Sequence, residues 1–276
     1  MKRLFVFTIA TNVYNSYLQE LTKSWHNAFP NVEEKWLIPI SDRKYEEPAN
    51  SDIKPCLIPN LQYNLICVSK FRLCEFALDS LNFDYSDDDI FLYVDADTKF
   101  IERPMEVWQE LTNQLACYDL VVNPYLTFGD RNGYNPEIML NDYCESNKEA
   151  AAYFEFDDNS VVICTNMIGG KISGLHRLAK DIYDLLTKDL NISFHERHFP
   201  VIAEETYVTY IYNMYLKGLN SYNIKLTYLH AIPYVKGQFY YLFLKEVEDQ
   251  IKHYPSIIAI TKYNNKVKKK IQPKRK

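Results

Sequence analysis

An α/β fold with a central mixed, mostly parallel sheet flanked by helices is what this sequence predicts, from three observations. Short runs of β-branched, aromatic and aliphatic residues alternate with stretches of helical apolar spacing, the order that builds parallel sheets. Glycine is scarce, 7 of 276 residues, which argues against a loop-rich β-protein and against a glycine-rich nucleotide loop. The strongest strand signal, Ile90 to Val94, has no polar break, as expected of a buried strand.

Taken in order, LFVFTIA at 4–10 reads as a buried strand. From Tyr14 to Phe29, Tyr17, Leu18, Leu21, Trp25 and Phe29 recur at helical spacing, and Pro30–Asn31 ends that helix. WLIPIS at 36–41 is a second strand and CLIP at 56–59 a third. A helix over 63–81 gathers Ile66, Phe71, Cys74, Leu78 and Leu81 on one face. The acidic turn 86–89 leads into the strand 90–94. Further strands are expected at 120–125, 161–170 and 224–229, with helices at 172–188 and 204–218, the latter stopped by Gly218. Residues 126–160 are polar and read mostly as loop. No linker divides the chain, so one domain over 1–260 is expected, followed by a basic, flexible tail over 261–276.

The net charge of −5 is unevenly spread: residues 262–276 hold eight Lys or Arg and no acid, leaving −13 on the rest. A basic tail on an acidic body suits an anionic partner such as phosphate or a membrane surface. It does not suit a nucleic-acid binder, whose basic residues form a folded patch. The six cysteines show no C-x-x-C spacing and several sit in apolar runs, the pattern of reduced core thiols in a cytoplasmic protein. The apolar run near the N-terminus is too short for a signal peptide or membrane span.

The chemistry begins where strand 90–94 ends in Asp95-Ala96-Asp97. In an open α/β sheet, ligands bind at the carboxyl ends of strands. In extended chain, residues i and i+2 face the same side. Asp95 and Asp97 are therefore candidate ligands for one hard cation, Mn²⁺ or Mg²⁺, against a diphosphate. A haloacid-dehalogenase phosphatase also ends a strand in D-x-D, but Lys99 stands where that family wants Thr or Val.

The D-x-D strand and several other segments resemble glycosyltransferase family 6, the family of the histo-blood-group A and B transferases and α-1,3-galactosyltransferase, over most of residues 4–266. VFTIATNVY at 6–14 resembles the family's first strand, placing Phe7, Thr8, Ile9 and Tyr14 at the uracil and ribose site. SKFRLCEF at 69–76 is similar to the helix that carries a donor-binding arginine, here Arg72. Residues 151–170 resemble the segment ending in two glycine pairs. Gly169 and Gly170 match the second pair, while Thr165 and Asn166, preceded by Cys164, replace the first in the donor-sugar pocket. VIAEETYVTY at 201–210 resembles the family's Trp-His-acid-acid segment, with Ile202 and Ala203 in place of Trp and His. Glu204 and Glu205 take the acidic pair, and Glu205 inherits the role of nucleophile or oxocarbenium stabiliser. Asn123 stands in place of a histidine in the acceptor loop. Lys262 and Lys266 fall in the basic segment that closes over the diphosphate.

The resemblance implies the GT-A nucleotide-sugar transferase fold and a retaining, metal-dependent transferase. It would move galactose, N-acetylgalactosamine or glucose from a UDP-sugar to an oligosaccharide or glycolipid acceptor, in an α-1,3 linkage. Changes at Asn123, Ile202 and Ala203 imply an acceptor unlike the family's usual one. Two alternatives stay open. LHAIPYVK at 229–236 has the His…Lys spacing of glycosyltransferase family 8, which would bring His230 and Lys236 into the site. The other is a non-catalytic nucleotide-sugar or carbohydrate-binding protein on the same scaffold.

Overall fold

The computed structural model describes residues 2–45, 51–61, 63–124, 154–157, 159–193, 203–227, 229–235 and 257–263. Along the chain run β1 (Leu4–Ala10), α1 (Leu18–Ser24), β2 (Lys35–Ser41), β3 (Cys56–Leu57), α2 (Tyr63–Ser80) and β4 (Ile90–Val94). Then come β5 (Thr98–Phe100), α3 (Met105–Cys117), β6 (Leu120–Pro124), β7 (Ile163–Lys171) and α4 (Ile172–Ser193). The last are α5 (Ala203–Leu216), β8 (Ile224–Leu226), β9 (His230–Val235) and β10 (Ile257–Tyr263).

Seven strands form one sheet in the order β3-β2-β1-β4-β7-β6-β8. All its pairings are parallel except the two made by β7, which runs against β4 and β6. The α/β class and the mixed, mostly parallel sheet are as the alternation of elements predicts. All seven residues of β1 and all five of β4 are buried, because helices cover both faces. Alternate residues go to opposite sides. Phe5, Phe7, Phe91 and Tyr93 pack with Phe71, Leu175 and Tyr207. Leu4, Val6, Leu92 and Val94 pack with Leu18, Leu21, Trp108 and Leu111.

Three features differ from the expected pattern. The helix expected from Tyr14 to Phe29 is broken into a 3₁₀ turn, Asn12–Ser16, then α1, then a second 3₁₀ turn, Trp25–Asn27. Its apolar set still reaches the core: Leu18, Leu21, Trp25 and Phe29 are all buried. Helix α3 is an addition, entered after Pro104; only Trp108, Leu111 and Leu115 are buried on it, a stripe too narrow to stand out. Strands β5, β10 and β9 form a separate three-stranded sheet. Strand β10 runs to Tyr263, past the expected domain end at 260.

Gly169 and Gly170 lie within β7, opposite Leu92 and Phe91, and make no turn. A Cβ on Gly169 would stand 2.5 Å from Leu115 Cδ2 and 2.7 Å from the Phe91 carbonyl oxygen. Gly170 has φ +148°, and a Cβ there would meet the Asp119 carbonyl oxygen at 2.1 Å. The pair serves close packing of the sheet. Of the five described cysteines, Cys56 and Cys74 are buried, Cys67 and Cys164 half-buried and Cys117 exposed, so the expected core placement holds for two. Among the described residues no helix is long and apolar enough to cross a membrane.

At the amino ends of β1 and β4 the buried carboxylate of Asp89 clamps the two strands together. It accepts from the Arg3 amide at 2.9 Å, Arg3 Nε at 3.0 Å and the Ser86 amide at 2.8 Å. Burial alone would raise its pKa; the amides of Arg3 and Ser86 and the Arg3 guanidinium outweigh burial and hold it below the ordinary carboxylate value. A depressed folded pKa contributes stability above the unfolded value of about 3.9, lost as pH falls through the folded one. Asp89→Asn is therefore expected to cost about 1.5–3 kcal/mol at pH 7. In urea titrations the variant's deficit should shrink below pH 4. A deficit independent of pH would show that the charge at Asp89 is not what holds the strands.

Candidate active site

The chain runs β1, β2, β3 to one side and then places β4 on the other side of β1. The carboxyl ends of β1 and β4 thus flank a topological switch point, where open α/β sheets bind ligands. Asp95-Ala96-Asp97 lies there. Because β7 runs antiparallel, its opening residues meet the end of β4: the Asp95 amide donates to the Asn166 carbonyl at 3.0 Å. Helix α5 starts at the same place with Glu204 and Glu205, both buried.

A lysine joins these elements. Lys70 of α2 is buried, with Nζ 3.1 Å from Glu204 Oε1 and 3.7 Å from Asp95 Oδ1. Its ammonium also stands 4.4 Å from the centre of the Tyr93 ring, while the Tyr93 hydroxyl donates to Asp95 Oδ1 at 3.2 Å. Burial would lower the Lys70 pKa, but Glu204, Tyr93 and Asp95 together carry it well above its ordinary value. Glu204 shows the reverse balance: burial raises it, and Lys70 brings it below its ordinary value. Its Oε2 is buried without a hydrogen-bond partner.

One ammonium serves Asp95 and Glu204, and the crowding of Asp97 and Glu205 beside them is left uncompensated. Burial lifts the Asp95 pKa despite Lys70. Burial and then the charge of Asp95 push Asp97 up to about 8. Burial and then Glu204 push Glu205 up to about 8, against the pull of Lys70. The backbone amide of Thr165 also hydrogen-bonds the Glu205 carboxyl. The Asp95 side chain keeps 39% of its exposure, so the cluster opens toward solvent at Asp95 while Glu204 and Glu205 stay buried. Such a site fits added positive charge. Among the described residues no group of three or more His, Cys, Asp or Glu is arranged to hold a metal ion. Two carboxylates without a protein cage suit an ion of the Mg²⁺ kind, which takes its other ligands from phosphate and water.

The structure therefore brings Asp95, Ala96, Asp97, Cys164, Thr165, Asn166, Glu204 and Glu205 to one end of the sheet. Tyr14 lies in the 3₁₀ turn just after β1, half-buried, its ring 6.0 Å from that of Tyr17. Phe7, Thr8 and Ile9 are β1 core residues; Thr8 Oγ1 is buried without a partner. Arg72 is not brought in. It sits exposed on α2, bonded to Glu75 at 2.9 Å, its guanidinium 5.7 Å from the Tyr183 ring. Asn123 is buried and ties β6 to the segment before β9, donating to the carbonyls of Thr227 at 3.2 Å and Leu229 at 3.0 Å. Lys262 and His230 lie on strands β10 and β9, and Thr261, next to Lys262, pairs with Thr98 just after Asp97. Ile202, Lys236 and Lys266 fall outside the described residues.

Lys70 is the site residue that motif spacing passes over. Its signal is a lysine four residues from both Ile66 and Cys74 on the apolar face of α2, where a charge needs a buried partner. Comparison with protein-family models and with curated proteins found no match to this sequence.

Removing one partner of a buried ion pair leaves the other uncompensated. Lys70→Met is expected to cost about 3–5 kcal/mol. Lys70→Met/Glu204→Gln should recover part of that loss, with a coupling of about 1–3 kcal/mol in a urea-denaturation cycle. Additive losses would mean that the two side chains do not act as a pair.

Proposed function

We propose that this protein is a retaining glycosyltransferase of the GT-A type that transfers a hexose from a UDP-sugar to a glycan acceptor. The observation that carries the reading is the gathering of Asp95, Asp97, Lys70, Glu204 and Glu205 at the β1/β4 switch point. The mixed, mostly parallel sheet agrees with that fold, and the resemblance of 6–14, 151–170 and 201–210 to family 6 agrees with that chemistry. Asp95 and Asp97 are the residues that would hold Mn²⁺ or Mg²⁺; bound there, the ion supplies positive charge to the diphosphate.

The chain's own groups divide the remaining work. Lys70 orients Asp95 and Glu204, keeps Glu204 an anion and opposes the rise that burial imposes on Asp95. Thr165 and Asn166 border the space for the sugar, and their side chains bring hydrogen-bonding groups where the family has glycine. Glu205 stabilises a cationic sugar carbon or attacks it, and for either task it must be ionised. In the ligand-free protein it holds a proton at neutral pH. Positive charge entering the crevice lowers its pKa and favours the anion. The acceptor, an oligosaccharide or glycolipid, enters beside this group, and the basic tail suits the surface of an anionic membrane.

The deciding experiment is UDP release from a panel of UDP-sugars, with and without Mn²⁺, for the wild type and for Asp95→Asn/Asp97→Asn. Metal-dependent release from one sugar is expected, falling at least about a hundredfold in the double variant, the scale of losing groups that stabilise developing charge. Tight UDP binding without release, with any acceptor offered, would favour a nucleotide-sugar-binding protein. No UDP binding would overturn the reading.

A further inference from the structure

Residues 161–162 lead into β7, and its opening residues 163–165 lie beyond its last pair with β4, Val94 with Met167. Against β6 the register also shifts, between Val122 and Asn123. Buried backbone groups in such a stretch need other partners. Helix α5 supplies them from two polar side chains on its buried surface. Thr209 Oγ1 accepts from the Ile163 amide at 3.1 Å. Asn213 meets Val161 twice: Oδ1 accepts from its amide at 2.9 Å, and Nδ2 donates to its carbonyl at 3.0 Å. The same Nδ2 donates to the Thr209 carbonyl at 2.7 Å, which ties the two rungs together. Thr209 is fully buried and Asn213 is 5% exposed, so neither bond competes with bulk water.

One turn closer to the start of α5, the Glu205 carboxyl accepts from the Thr165 amide. Helix positions 205, 209 and 213 thus meet strand positions 165, 163 and 161. The spacing explains why three rungs stay in step. Four helical residues rise about 6 Å, and two extended residues about 6.6 Å.

We propose that Thr209 and Asn213 are positioning residues, which lock α5 to the 161–165 segment in one register and so set where Glu205 stands against Cys164, Thr165 and Asn166. The inference rests on the transferase reading, in which Glu205 faces the sugar and residues 164–166 border it. A slip of one rung would carry Glu205 about 6 Å along the segment. A misplacement near 1 Å already costs catalysis on the order of a hundredfold.

The test uses Thr209→Val, which keeps the volume and removes the acceptor, Thr209→Ser, which restores it, and Asn213→Asp, which removes the donor. Thr209→Val and Asn213→Asp are expected to lower kcat for release or transfer from the UDP-sugar by about ten- to a hundredfold. KM and the affinity for UDP should hold, and Thr209→Ser should recover kcat. A lower Tm with kcat per folded molecule unchanged would overturn the proposal. If the wild type turns over no UDP-sugar, the transferase reading fails by itself, and amide hydrogen exchange decides the register. Faster exchange in Thr209→Val at Thr165 and Val161 as well as Ile163 supports a single locked ladder. Faster exchange at Ile163 alone overturns it.

Discussion

The buried ammonium of Lys70 is the interaction on which the rest of this site depends. Withdrawing a lysine and two carboxylates from water costs several kcal/mol for each ion, returned only when the geometry is close. Helix α2, strand β4 and helix α5 must therefore be held in fixed relation, because each contributes one charge to the group. The same ammonium separates two adjacent and chemically similar acids. Glu204, within reach of Lys70, is kept ionised, whereas Glu205, burdened by burial and by the charge of Glu204, keeps its proton. The two neighbouring acids thus carry pKa values shifted in opposite directions.

The sheet places two differently balanced charge groups at opposite ends. At the amino ends of β1 and β4, Asp89 is fully satisfied by Arg3 and Ser86 and draws the strands together. At the carboxyl ends the charges are left in excess. Between them, β7 is pressed so closely against its neighbours that Gly169 and Gly170 admit no side chain. Gly174, in the first turn of α4, is equally tight: a Cβ there would lie 1.9 Å from the Asp119 carbonyl oxygen. This close packing seats β7 between β4 and β6, and its opening residues emerge beside Asp95.

Helix α5 then serves both parts. Its residues are buried on nearly every side, which explains why its apolar stripe is indistinct. Polar residues within it face backbone, not solvent: Thr209 and Asn213 satisfy the 161–163 segment, and Glu205 reaches Thr165. The identity of residues 165 and 166 thus bears on the shape of the crevice, while the neighbouring glycine pair bears on packing alone.

The class of fold was legible in the apolar pattern alone. Strands covered on both faces must be continuously apolar, and β1, β2 and β4 declare themselves by that run. The sequence also marked the carboxylates at the end of β4, since two acids placed directly after a buried strand call for positive charge to offset their crowding. Helical spacing was less decisive for α1, where 3₁₀ turns interrupt the period, and for α3, whose three core residues make a narrow stripe. Which cation the acids hold is set by packing between elements distant in the chain. Lys70 and Arg72 are two positions apart, about 200° around the helix axis, and packing selects which one turns inward. The chosen lysine meets a glutamate 134 residues away. Periodicity reports on neighbours within a few turns, whereas that pairing follows from the order of the strands and the reversal of β7, which local spacing does not encode.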